Sequence, residues 1–196
     1  MTKKILKGFL KVIVSISIIA ALGFGITYYY LKSTWQNVIS EDELTEIVTK
    51  VKFAKELPDK FYELYEQEYP GILSKNLNTQ IAKGLISNNF VKSPSLLAST
   101  ISKFTRKDED STHISNRKAY TLAWKLEEQT TQKECLNYAL ENYKFDLFIH
   151  GINEIAQYYY KKDVAKLTDR ELSDIILLMK EPSIVNVPDR SKEEMH

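Results

Sequence analysis

From Val12 to Leu31 the chain reads VIVSISIIAALGFGITYYYL, a run of 20 residues without a charge. At a helical rise of about 1.5 Å per residue such a run covers about 30 Å, the thickness of a bilayer's hydrocarbon core. No polar face interrupts it, which argues against a buried core helix. Lys3, Lys4, Lys7 and Lys11 are the basic residues ahead of or at the edge of the run, and no Asp or Glu falls before Lys32. The basic end is therefore expected to stay cytoplasmic, with Tyr28, Tyr29, Tyr30 and Trp35 as an aromatic belt at the far interface. A cleaved signal peptide is the competing reading, but its apolar region would run only about 7–15 residues and end at a small-x-small site. A longer run closing on three tyrosines favours an uncleaved signal-anchor.

Beyond Lys32 the apolar residues repeat at helical spacing. Ala119, Leu122, Ala123 and Leu126 make one stripe, and Leu172, Ile175, Ile176 and Met179 another. Helix starts are written beside such stripes. Ser40 with Glu43, Thr131 with Glu134 and Thr168 with Glu171 fit the capping box, in which hydroxyl and carboxylate each satisfy a backbone donor of the other. Ser93 before Pro94 fits an N-cap followed by a first-turn proline. No Asn-Gly or Asp-Gly hairpin signal occurs, and only Gly71, Gly84 and Gly151 lie outside the apolar run. The pattern predicts an all-α domain with helices near 41–56, 59–69, 73–87, 94–105, 114–129, 132–145, 151–162 and 169–181, and an extended, frayed end from Pro182.

Composition narrows the chemistry. The four basic residues of the first 31 leave 23 basic and 26 acidic residues in the rest, a net of −3 behind a +4 anchor, although the whole 196-residue chain is only +1. That balance carries no electrostatic footprint for nucleic acid. The lone Cys135 cannot form an internal disulfide and is expected in the core; three scattered histidines give no zinc spacing. Neither metal nor cofactor is expected. His113 reads as a helix-start residue, His150 as a loop-to-helix junction, and Tyr158 to Tyr160 as a mixture of core and surface positions.

Two stretches carry a resemblance. Ala98 to Lys107 reads ASTISKFTRK, and Arg117 to Pro188 follows with RKAYTLAWKLEEQ, GINEIAQYYYKK and LTDRELSDIILL in order. Together they resemble the family 51 glycosyltransferases, the peptidoglycan transglycosylases found alone or ahead of a transpeptidase. Ser99-Thr100-Ile101-Ser102 with Lys107 matches part of that family's Gly-Gly-Ser-Thr-Ile-Thr-Gln-Gln-x-x-Lys motif. Arg117-Lys118 matches the start of Arg-Lys-x-x-Glu. Gly151-Ile152 with Tyr159, Tyr160 and Lys162, and Leu167-Thr168 with Glu171, match the closing segments.

The resemblance implies a lysozyme-like helical transglycosylase domain behind one N-terminal transmembrane helix. Its expected parts are a cytoplasmic basic tail (1–11), a transmembrane signal-anchor (12–31), a juxtamembrane linker or helix (32–57), the helical domain (58–190) and a short tail (191–196). It also implies a bacterial cytoplasmic-membrane location with the domain on the periplasmic or extracellular side. The implied reaction is attack by a sugar hydroxyl on the carbon carrying a lipid pyrophosphate, which needs a carboxylate base and positive charge at the leaving group. The resemblance assigns the base to Glu68, with Glu66 as the near alternative; the other reading of both is the wet face of a Tyr-rich helix. It assigns substrate contacts to Ser99, Thr100, Lys107, Arg117 and Lys118. The chain also departs from the family pattern. Leu97 and Ala98 replace two glycines, Lys103-Phe104 two glutamines, and Thr121 the second Glu, or Ala119 where the alignment slides two residues to match the stretch downstream; Glu127 and Glu128 fall too late to replace it; Asn153 replaces a further Glu. The expectation is a domain with weakened or lost catalysis that binds lipid-linked disaccharide precursor or glycan, or assists a cell-wall synthase. An active divergent transglycosylase and an envelope interaction protein without a saccharide role remain the alternatives.

Overall fold

The computed structural model describes residues 2–37, 39–87, 91–102, 116–146 and 148–180. Nine α-helices occur among them: α1 (Thr2–Ser33), α2 (Glu41–Lys52), α3 (Asp59–Glu68), α4 (Leu77–Ser87), α5 (Pro94–Ile101), α6 (Asn116–Glu127), α7 (Gln132–Glu141), α8 (Gly151–Tyr160) and α9 (Asp169–Lys180). Among the described residues the only β-pairing is an isolated bridge between Lys144 and His150.

The cap chemistry sets several of these starts. In α2, the Glu43 N–H donates to Ser40 Oγ at 3.2 Å while the Ser40 N–H donates to the Glu43 carboxylate at 2.8 Å. Thr131 with Glu134, and Thr168 with Glu171, repeat the exchange at α7 and α9. Ser93 accepts from the Leu96 N–H at 3.2 Å, with Pro94 in the first turn of α5. Each exchange satisfies amides that no helical carbonyl can reach.

Two larger apolar clusters and a smaller one hold the helices together. Phe61, Tyr62 and Tyr65 of α3 pack with Leu136 and Leu140 of α7, Ile152 and Ile155 of α8, and Leu172, Ile175 and Ile176 of α9. Leu44, Ile47, Val48 and Val51 of α2 pack with Ala98, Leu122, Leu126, Cys135 and Ala139 of α5, α6 and α7. The segment 32–57, expected as a juxtamembrane linker or helix, thus contributes core residues through α2. Leu77, Leu96, Ala119, Ala123 and Trp124 form the third cluster. Cys135 is fully buried, and burial pushes its thiol up to about 12.

The helix α1 is different in kind. Residues Lys7–Tyr30 are long and apolar enough to cross a membrane, at about 36 Å of helix. Its side chains from Lys7 to Thr27 are exposed on every side. Its C-terminal end is fixed to the domain. Lys32 pairs with Glu128 at 3.3 Å, Arg117 donates to Thr34 Oγ1 at 3.3 Å, and Lys125 lies 4.7 Å from the Trp35 ring centre. Burial works against the charge of Glu128, but Lys125 and Lys32 outweigh it and hold its carboxyl below the ordinary value.

Candidate functional site

The last turn of α3 carries the two carboxylates that the resemblance singles out, and they do different things. Residues two apart on a helix point to nearly opposite sides. Glu66 turns toward the segment that follows α3. One of its oxygens accepts the Gly71 N–H at 2.5 Å and the other the Leu73 N–H at 3.1 Å. The turn it closes passes through Gly71 at φ +80°, a left-handed conformation that glycine adopts without steric cost. Glu66 also borders an open groove with Tyr62, Glu63, Leu73, Ser74 and Lys133. Glu68 instead accepts from the Lys180 ammonium at 2.8 Å, joining α3 to the end of α9.

Glu68 lines a cleft of about 240 Å³ with Tyr69, Gly71, Lys75, Gln80 and Lys83. Two cations meet there. Hydrogen bonding to Lys75 and repulsion from its charge push the Lys83 ammonium below its ordinary value, while Glu66 acts the other way. Burial, followed by the charge of Glu68, raises the Tyr69 phenol, with Lys180 opposing. The Gln80 side-chain amide donates to the Ile72 and Lys75 carbonyls, at 3.2 and 3.1 Å. Lys75, Gln80 and Lys83 were not found by sequence reasoning. Their only local signal is the i, i+3 spacing of Gln80 and Lys83, and Lys75 joins them only because the chain turns at Gly71.

The remaining predicted residues lie on α5 and α6. Ser99 is fully buried and donates to the Ala119 carbonyl at 2.6 Å, pinning α5 to α6. Thr100, half-buried, returns its hydroxyl to the Leu97 carbonyl at 2.9 Å. Arg117 is exposed at the start of α6 and reaches Thr34 at the end of the apolar helix; Lys118 beside it is half-buried. Lys107 and His113 lie outside the described residues. Among the described residues, no hydrogen bond or ion pair joins Glu66 or Glu68 to Ser99, Thr100, Arg117 or Lys118.

Thr121, which the resemblance sets at the place of the family's second Glu with Ala119 as the alternative, is 2% exposed, and its hydroxyl oxygen has no hydrogen-bond partner among the described residues. Glu127, too late in sequence for that role, is a junction of four helix ends. Its Oε1 accepts the Leu77 N–H at 2.7 Å, the Ser95 hydroxyl at 2.8 Å and the Gln132 amide at 2.6 Å. Among the described residues, no group of three or more His, Cys, Asp or Glu side chains could hold a metal ion.

An all-α domain thus lies behind a long apolar helix, with carboxylates and lysines meeting around the turn that follows α3. The chain matches the Transglycosylase family model over residues 25–196 and belongs to that family. Its similarity to Penicillin-binding protein 1F of Bacillus subtilis (strain 168) is 25% identity over 158 residues, 79% of this chain. The chain spans about a fifth of that relative, 21% of its length. The family resemblance and the all-α, lysozyme-like fold expected from it are both borne out.

Proposed function

We propose that this chain is a membrane-anchored transglycosylase-type domain of the bacterial envelope that recognises lipid-linked disaccharide or glycan and has lost or weakened glycosyl transfer. The basic tail lies in the cytoplasm, residues 12–31 span the membrane, and the helical domain faces the other side. The observation that carries this reading is the state of the α3 carboxylates. A general base must take a proton from the attacking hydroxyl. Both oxygens of Glu66 already accept backbone N–H groups, and protonating it would weaken the bonds that close the Gly71 turn. Glu68 is held by Lys180, and both candidates for the place of the second carboxylate, Thr121 and Ala119, are buried and carry no acid.

A second reading keeps catalysis at Glu68. Its ion pair with Lys180 is partly exposed, and such pairs contribute only about 0–1 kcal/mol. A substrate could displace Lys180, with Lys75 and Lys83 facing the pyrophosphate.

Binding separates recognition from a purely structural role. Full-length protein in nanodiscs is expected to bind lipid-linked disaccharide saturably. The double variant Arg117→Ala/Lys118→Ala is expected to bind about tenfold more weakly, corresponding to about 1.4 kcal/mol. No saturable binding by the native chain would favour the interaction-protein reading. Unchanged affinity in the double variant would remove those two residues from the substrate contacts.

A further inference from the structure

An apolar groove of about 520 Å³ lies where the long helix meets the domain. Phe24 and Tyr28 of α1 form one wall, Ile81 and Ala82 of α4 another, and Tyr120 and Trp124 of α6 the floor. We infer that this groove takes one acyl chain of a phospholipid from the leaflet at the C-terminal end of α1. The inference rests on the reading that α1 spans the membrane.

Three of the groove's polar side chains, Tyr28, Asn78 and Trp124, are matched to one another. The Tyr28 hydroxyl accepts from the Asn78 amide at 3.0 Å, and the Trp124 indole N–H donates to the Asn78 carbonyl oxygen at 2.8 Å. Trp124 meets Tyr28 edge to face at 5.3 Å between ring centres. These contacts orient the rings and leave apolar faces as the main surface offered to an occupant. Phe24 and Tyr28 belong to the last turns of the apolar Lys7–Tyr30 segment, so the groove lies at the boundary of hydrocarbon and headgroups. It is continuous with the exposed apolar surface of α1, which faces lipid in a spanning helix. Just beyond the groove, Lys32–Glu128 and Arg117–Thr34 hold α1 against the domain. The walls are thereby fixed at the level of the acyl chains.

The chain has two tryptophans, so Trp35→Phe in the full-length protein leaves Trp124 as the sole indole. In vesicles of phosphatidylcholine brominated on its acyl chains, Trp124 emission is expected to fall at least twofold relative to unbrominated vesicles. Ala82→Phe, at an exposed position on the groove wall, is expected to remove at least half of that quenching. Unchanged emission in protein that floats with the vesicles would overturn the acyl-chain assignment and leave the membrane reading intact. Failure to float would overturn both. Quenching abolished by a few mole per cent of unbrominated polyprenyl phosphate would identify an isoprenoid as the occupant and overturn the phospholipid assignment.

Discussion

Gly151→Ala is expected to destabilise the domain by about 3 kcal/mol or more, lowering the thermal midpoint by about 6–12 °C for a chain of this size. Gly151 opens α8 at φ +81°, where a side chain costs about 1–2 kcal/mol. Space adds a second penalty. A Cβ built at Gly151 would overlap the carbonyl oxygen of Glu141, the last residue of α7. Backbone cannot swing aside as a flexible side chain can, so α7 and α8 would have to separate. The Gly151 N–H also donates to the Tyr143 carbonyl at 2.7 Å, fixing the approach from the other side. Asn153→Ala, at an exposed position two residues on, is expected to stay within about 0.5 kcal/mol. Thermal unfolding followed by circular dichroism in detergent compares the two variants. Equal midpoints would refute the close-approach argument.

Glu127→Ala is expected to cost about 3 kcal/mol, because one oxygen serves three donors on three other elements. Losing it leaves the first amide of α4, on the fully buried Leu77, without an acceptor, and turns the Ser95 hydroxyl to Ser93 Oγ at 2.8 Å. A buried donor stranded in this way costs about 1–3 kcal/mol. The negative charge at the N-terminus of α4 also interacts favourably with the helix dipole. Glu127→Gln keeps an acceptor oxygen and removes the charge, so its expected cost is about 1 kcal/mol, since charge-assisted hydrogen bonds are roughly twice as strong as neutral ones. Chemical denaturation at neutral pH distinguishes the pair. Equal losses for Ala and Gln would show that charge, not hydrogen-bond acceptance, is what the junction requires.

Helix starts were legible in the sequence because a cap is a local agreement between residues three apart. Ser40 with Glu43 and Thr131 with Glu134 form the expected bonds. Helix ends were less so. The helix expected to run to residue 56 stops at Lys52, where the Phe53 N–H bonds back to the Thr49 carbonyl and the Ala54 N–H to the Val51 carbonyl. The helix expected to reach residue 145 stops at Glu141, since the chain must return to place Gly151 beneath it. The helix expected from residue 73 begins at Leu77, because the Gly71 turn takes up the residues before it. Tyr158 to Tyr160 divide as their spacing suggested, with Tyr158 exposed and the other two packed on the core.

The candidate site was less legible than the fold because its contacts are long-range or depend on a turn. Glu66 meets amides five and seven residues ahead only because Gly71 bends the chain. Glu68 meets Lys180, 112 residues away, through the packing of α3 on α9. No spacing rule encodes either pairing. Glu127 drew notice only as a carboxylate too late to stand for the Glu of Arg-Lys-x-x-Glu, and its bonds to Leu77, Ser95 and Gln132 emerge when four helix ends converge.

The central claim is that the family's helical domain survives here while its carboxylates serve the fold and glycosyl transfer is lost or weakened. Incorporation of labelled lipid-linked disaccharide into polymer by the full-length protein in membranes tests it most directly. The account predicts little or no polymer above the level of the Glu66→Ala/Glu68→Ala variant. Polymer made by the native chain and abolished by Glu68→Gln, in a variant that keeps its thermal midpoint, would contradict it and place catalysis at Glu68.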